Sequence, residues 1–197
     1  MWNISLKMFF PCFGLALWLG LLAPAAVQSQ EREKDMAARG QYIFAVAGGC
    51  ACHTVPKGTP HAGGRAFPIP FGKAYATNIT QDKETGIGSW SDKEIRDSIV
   101  KGIRPNGERL LPIMPYEAYS GMAEEDLKAL IVYLRTLKPV RKENLQPKVY
   151  VSLFHPLVTP LWLKLFGRFS NPPARAPKNS VERGRYLVEH VSLCADC

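Results

Sequence analysis

Residues 48–54 read Gly-Gly-Cys-Ala-Cys-His-Thr, and most of the chain's organisation follows from what this stretch asks of its surroundings. Cys50 and Cys52 are separated by one residue, and a disulfide closes across so short an interval only with strain. The pair therefore wants another chemistry, and His53 stands directly beside it. Upstream, Met36 to Val46 has helical composition and delivers the chain to Gly48 and Gly49. Downstream, Thr54 to Trp90 is rich in glycine, proline and polar residues and sustains neither a 3.6 nor a 2 period, so it reads as ordered loop.

Two more helices are predicted beyond that loop. Ser91 and Glu94 have capping-box spacing, and Ile95, Ile99, Val100 and Ile103 mark one helical face before Pro105 and Gly107 stop it. Leu127, Leu130, Ile131, Leu134 and Leu137 repeat at helical spacing behind Glu124, Glu125 and Asp126, acidic residues that suit a helix N-terminus. The expectation is an all-α domain over 36–139, three main helices joined by long loops. Such loops are unusual in a small domain unless something fills the centre, and a large apolar cofactor would do so.

Covalent haem attachment needs thiols to add to vinyl groups and an adjacent imidazole to ligate iron. Cys52 and His53 meet that need, and the usual string is C-x-x-C-H. Here one residue is missing. A two-residue helical step turns roughly 200° rather than roughly 300°, so Cys50 reaches its usual place only if Gly48 and Gly49 adjust the backbone; a single thioether through Cys52 is the other reading. Zinc is the competing metal, but it would want a second close ligand pair, which His61 alone does not supply. A zinc shared with Cys194 and Cys197 is what remains of that reading. For the opposite face of a haem iron, Met114 is the first candidate, held between Pro112 and Pro115 in the loop before the last helix. Met122 is the runner-up, and a methionine filling a core gap is the bland alternative.

Outside this domain the chain changes character. Lys7 precedes an uncharged apolar run from Met8 to Val27 that closes on small and polar residues, so 1–29 reads as an export signal or an N-terminal anchor. Either reading puts the remainder outside the cytoplasm, in the periplasm or at the inner membrane. The formal charge of +8 suggests acidic protein partners or anionic lipid; export and the lack of a stacking-aromatic pattern argue against nucleic acid. From 140 to 180 proline and basic residues become frequent, as in a linker. Within it Val149 to Phe169 is apolar but broken by His155, Pro156, Pro160, Lys164 and Arg168, too interrupted for a membrane span; packing over a domain face is one reading and peripheral membrane contact the other. Then Arg183-Gly184-Arg185-Tyr186 precedes Cys194 by the interval at which Arg39-Gly40-Gln41-Tyr42 precedes Cys50. A repeated module is expected to begin over 181–197, truncated at Cys197.

Several longer segments resemble one family: R-G-x-Y before the cysteines, PFGKAYATNITQDKETGIGSWSD from Pro70, RLLPIMPYEAY from Arg109 and EEDLKALIVYLRTL from Glu124. Together they resemble the cytochrome c subunits of membrane-associated bacterial alcohol, aldehyde and gluconate dehydrogenases and related multihaem cytochromes, over roughly Ala38 to Val140. The resemblance implies the cytochrome c fold with its first and last helices crossed, haem c as cofactor, His53 as proximal and Met114 as distal ligand. It also implies Asn78 and Trp90 along the haem edge and a second haem at Cys194 and Cys197. The C-x-C-H spacing departs from the family pattern and puts the second thioether in question.

The function expected is electron transfer between a dehydrogenase or cytochrome and a respiratory acceptor, with no nucleophile and base arrangement of the kind an enzyme would need. A dihaem peroxidase-like enzyme would require an iron with a displaceable face, and a zinc-stabilised module would require zinc without iron.

Overall fold

The computed structural model describes residues 13–69, 72–149 and 158–192, without the side chains of 13–26, 50, 149, 158 and 159. The chain divides into two compact units, Met1–Asp35 and Met36–Cys197. In the first, the backbone is helical from the start of α1 (Phe13–Val46). Among the described residues no helix is long and apolar enough to cross a membrane.

The second unit holds the remainder of α1, the single turn α2 (Gly49–Cys52), strands β1 (Ala66–Ile69) and β2 (Gly72–Tyr75), and helices α3 (Asp92–Lys101), α4 (Tyr116–Tyr119) and α5 (Glu124–Arg135). Strand β3 (Lys148–Val149) and helices α6 (Val158–Phe166) and α7 (Ser180–His190) follow. Helix α3 begins at the expected capping box, with Ser91 Oγ accepting from Glu94 N and the Glu94 carboxylate accepting from Ser91 N. It ends at Gly102, in the left-handed conformation at φ 63°. Ile95, Ile99 and Val100 of its apolar face are buried, as are Leu127, Leu130, Ile131, Leu134 and Leu137 along and just beyond α5. Each such side chain contributes about 1.5–3 kcal/mol by leaving water.

Helices α1 and α5 meet at Gly40. A Cβ there would lie 1.9 Å from the Ala129 carbonyl oxygen and 2.7 Å from Tyr133 Cβ, so only glycine lets the two backbones approach this closely. One turn on, the Phe44 and Tyr133 rings pack at 5.3 Å, and Ile43 is fully buried in the same core.

The unit is helix-rich but not all-α, which corrects the expectation. Strands β1 and β2 pair antiparallel, Ala66 with Tyr75 through Ile69 with Gly72, and β3 joins on the other side of β2. These strands are too short to impose a visible period of two on the sequence. Pro68, which cannot donate to a ladder, sits on the edge strand β1, where that costs nothing.

Candidate haem site

The Cys50-Ala51-Cys52-His53 motif is presented by a sharp exit from α1. Gly48 takes φ 70°, and its carbonyl accepts from Ala51 N and Cys52 N to start α2. Gly49 follows because a Cβ there would lie 2.2 Å from the Phe44 ring. The two glycines thus serve the turn and the packing. Cys52 is a free, half-exposed thiol; burial pushes its pKa up, and nearby Arg65 opposes that. Arg65 also donates to the Ala51 carbonyl at 2.6 Å, latching α2 from outside. The side chain of Cys50 lies outside the described residues, as do Cys194 and Cys197.

His53 follows α2 and its ring is oriented by one hydrogen bond, from Nδ1 to the Thr77 carbonyl at 2.8 Å. A carbonyl only accepts, so Nδ1 carries the proton and Nε2 keeps its lone pair. Burial holds the pKa of His53 below its ordinary value, with His61 acting in the same direction and the Thr77 bond against it. The ring is therefore neutral at physiological pH. A neutral imidazole whose far nitrogen is tied to a backbone carbonyl is the arrangement a metal-ligating histidine uses.

Thr77 is held in place from two sides. Gly63 donates to the His53 carbonyl at 2.9 Å at φ 69°, and a Cβ there would lie 2.5 Å from Thr77 C and 2.7 Å from Thr77 O. On the other side is Asn78, which is buried and has both side-chain polar atoms engaged. Its Nδ2 donates to Val140 O at 2.8 Å and Thr85 Oγ1 at 3.1 Å, and its Oδ1 accepts from Thr80 N at 3.0 Å and Thr80 Oγ1 at 2.7 Å. Asn144 Oδ1 accepts from Asn78 N at 2.7 Å. Asn78 therefore knots the loop to the segment after α5 and fixes the carbonyl beside it. Thr77 and Gly63 escaped sequence reasoning; the Gly63-Gly64 pair was the available signal of a close backbone approach.

Met114 is half-buried against the core, and Trp90 packs against the same cluster. The Met114 carbonyl accepts from Tyr116 N at 2.8 Å as Pro115 leads into α4, and the Trp90 carbonyl accepts from Arg135 at 2.5 Å. Met122 is fully buried in the core. His61, at φ 63°, stands edge-on to Phe44 at 5.3 Å. Among the described residues, His61 Nδ1 and Tyr116 Oη are the buried side-chain polar atoms without a hydrogen-bond partner.

These residues fit a haem. A neutral imidazole with Nε2 free, an adjacent free thiol and a half-buried thioether make the nitrogen and sulfur donor set that haem c takes. The orphaned polar atoms of His61 and Tyr116 mark buried places where a further polar partner would be accommodated. No group of three or more His, Cys, Asp or Glu side chains is placed to hold a metal ion among the described residues.

The two R-G-x-Y copies converge on one carboxylate. Asp126 is fully buried; its Oδ1 accepts from Arg39 Nε at 2.6 Å, and its Oδ2 accepts from Tyr186 Oη at 2.8 Å and Arg183 Nη1 at 3.1 Å. Tyr186 Oη in turn accepts from Ala123 N at 2.9 Å. The chain leading to α7 is strapped along α4 and α5: Arg168 N donates to Glu117, Ser170 N to Ser120 Oγ, and Ala176 N to Glu125.

No family model matches the chain. Individual proteins do. It is 38% identical over 189 residues to the gluconate 2-dehydrogenase cytochrome c subunit of Pantoea cypripedii, covering 93% of this chain and 42% of that protein. It is 31% identical over 188 residues to the cytochrome c subunit of the quinone alcohol dehydrogenase of Gluconobacter oxydans, 93% of this chain and 39% of that one. The fructose dehydrogenase cytochrome subunit of Gluconobacter japonicus is 34% identical over 190 residues, 90% of this chain and 39% of the relative. The chain thus spans about two-fifths of the length of these relatives. By sequence, it belongs with the cytochrome c subunits of the gluconate, alcohol and fructose dehydrogenases.

Proposed function

We propose that the chain carries electrons through covalently attached haem c, from a dehydrogenase subunit toward a respiratory acceptor, in the periplasm and at the inner membrane. The single observation that carries this reading is the His53 hydrogen bond to Thr77, which leaves Nε2 with its lone pair. In this reading 1–29 is the leader, 36–139 the haem domain, 140–180 the connection and 181–197 the start of a second haem module at Cys194 and Cys197.

When bound, haem supplies a one-electron couple between ferrous and ferric iron. The chain's residues do the rest. His53 would hold the iron through Nε2, with its tautomer set by Thr77. Met114 would hold the iron through its sulfur, a ligand that would raise the reduction potential and keep small ligands off. The Cys52 thiol would add across a haem vinyl group to give a thioether, and Cys50 would give the second where the backbone allows. Asn78 acts by position, through Thr77, and Trp90 closes the apolar wall around the haem edge.

The test is an alkaline pyridine haemochrome spectrum of periplasmically matured protein after acid-acetone extraction. Haem retained by the chain, with a reduced band that reports one or two thioethers, is the expected result. Haem lost to the solvent, or zinc found without iron, would overturn the proposal.

A further inference from the structure

Helix α6 wears its apolar residues outward. At about 100° per residue, Leu161, Leu165, Trp162 and Phe166 fall within an arc of about 140°, and all four are exposed: 58%, 65%, 47% and 64% respectively. Leu163, about 60° beyond one edge of that arc, is 4% exposed and is the buried side of the helix. Phe169, also exposed on its outer side, stacks on Tyr116 with ring centroids 6.2 Å apart, so the patch is anchored beside the Met114 loop. An exposed contiguous apolar face of this kind marks an interaction surface.

Charge identifies what covers it. Between Glu143 and Glu182 the sequence has no acidic residue, while Lys148, Lys164, Arg168, Arg175 and Lys178 lie in that interval. Lys164 sits about 60° from the edge of the apolar arc and is exposed, as is Arg168 just past the helix. A short helix with Trp, Leu and Phe on one face and lysine and arginine at its margin suits the headgroup boundary of a bilayer, where indole takes the interface and the cations meet anionic lipid. A second copy of the chain suits it poorly, since a two-fold contact would set these like charges against each other.

We propose that α6 is an interfacial membrane-docking helix whose Leu161, Trp162, Leu165 and Phe166 enter the headgroup region of an anionic bilayer while Lys164 and Arg168 pair with lipid phosphate. The site rests on the export reading, which puts this unit on the bilayer's outer side, but not on haem binding. Docking there would hold the Met114 side of the domain close to the membrane surface and to acceptors embedded in it.

The experiment uses the full chain matured in a periplasm, with haem content scored separately by its haemochrome spectrum. Binding is measured by sedimentation with phosphatidylcholine vesicles, with and without phosphatidylglycerol, and by quenching of tryptophan fluorescence with brominated lipid. Wild type should bind the anionic vesicles at least tenfold more tightly than the zwitterionic ones and weaken as salt rises. Leu161→Ser with Leu165→Ser should lose at least tenfold in affinity, and Lys164→Gln with Arg168→Gln should lose the salt-dependent part. Quenching should fall sharply in Trp162→Phe, a reading that a retained leader cannot mimic. These side chains are exposed, so circular dichroism and haem content should stay at wild-type values. Quenching that is equal in wild type and Trp162→Phe, or a concentration-dependent dimer abolished by the leucine variants, would overturn the proposal. Failure of the export reading would appear instead as protein confined to the cytoplasmic fraction.

Discussion

Arg183 and Asp126 lie 3.1 Å apart, and the carboxylate that Arg183 reaches is the one Arg39 already holds at 2.6 Å. Two arginines from equivalent positions of a repeated sequence thus share one fully buried acid. Their surroundings differ: Tyr42 of the first copy is exposed, whereas Tyr186 of the second is buried with its hydroxyl on the same carboxylate. The second copy is used here to fasten α7 to the helix that the first copy already braces.

Asp126→Ala should destabilise the protein by about 3–5 kcal/mol, the usual cost of removing one partner from a buried charge cluster. Tyr186→Phe should cost about 1–2 kcal/mol, because Ala123 N then loses its acceptor. Denaturant titration of the haem-loaded protein measures both. Equal, small losses in the two variants would mean that the carboxylate is not the keystone described.

The two repeat glycines should respond oppositely to alanine. Gly40→Ala drives a methyl into the Ala129 carbonyl and should cost at least about 1–3 kcal/mol. Around Gly184 there is nothing within 4 Å, and alanine there should stabilise α7 by up to about 1 kcal/mol. Melting temperatures that move in the same direction for both variants would contradict the helix contact at Gly40.

Gly63→Ala tests how His53 is oriented. The added methyl must displace the Thr77 carbonyl, so the imidazole loses the acceptor that sets its tautomer. Haem should still be attached through Cys52, while the reduction potential and the proton resonances of the axial ligands shift. Met114→Ala should lower the potential further and open the iron to exogenous ligands such as imidazole. Unchanged potentials in both variants would remove these residues from the site.

Acid sensitivity should be traceable to the α3–α5 contact. The Arg96 hydrogen bond holds the Glu124 carboxyl below its ordinary value of 4.5, despite partial burial. A carboxylate with a depressed folded-state pKa contributes stability above its unfolded value and loses it as pH falls through the folded one. Wild type should therefore weaken as pH drops below about 4.5, by about 1 kcal/mol for this half-exposed pair. Glu124→Gln should be less stable at neutral pH and flatter through that window. Stability curves of the two proteins that run parallel from pH 6 to 3 would assign the acid sensitivity elsewhere.

Helices α3 and α5 were legible because each exposes its period: Ile95, Ile99 and Val100 on α3, and Leu127, Leu130, Ile131 and Leu134 on α5, are buried as their spacing requires. The strands were not, since four residues of β1 and two of β3 carry no period to read. His53 was found because its chemistry lies in its side chain and its neighbours. Thr77 contributes only a backbone carbonyl, which any residue would offer, so no composition or motif could single it out. The loop's order likewise depends on pairs far apart in sequence, such as Asn78 with Val140. Helix α6 was not foreseen, because Val149 to Phe169 reads as an apolar stretch broken by prolines and charges, and which side meets the protein depends on the burial of Leu163.

The strap over α5 sets where this domain is finished. The backbone N–H groups of Glu124 and Glu125, at the start of the helix, donate to the carbonyls of Pro173 at 3.0 Å and Ala174 at 3.3 Å. Ala123, at the N-cap position, offers no side-chain acceptor, so α5 is capped by chain made long after it. During synthesis α5 would stay frayed at its start until residues near 176 leave the ribosome or translocon. An expression boundary drawn near 140, just past α5, would cut that helix off from its own cap.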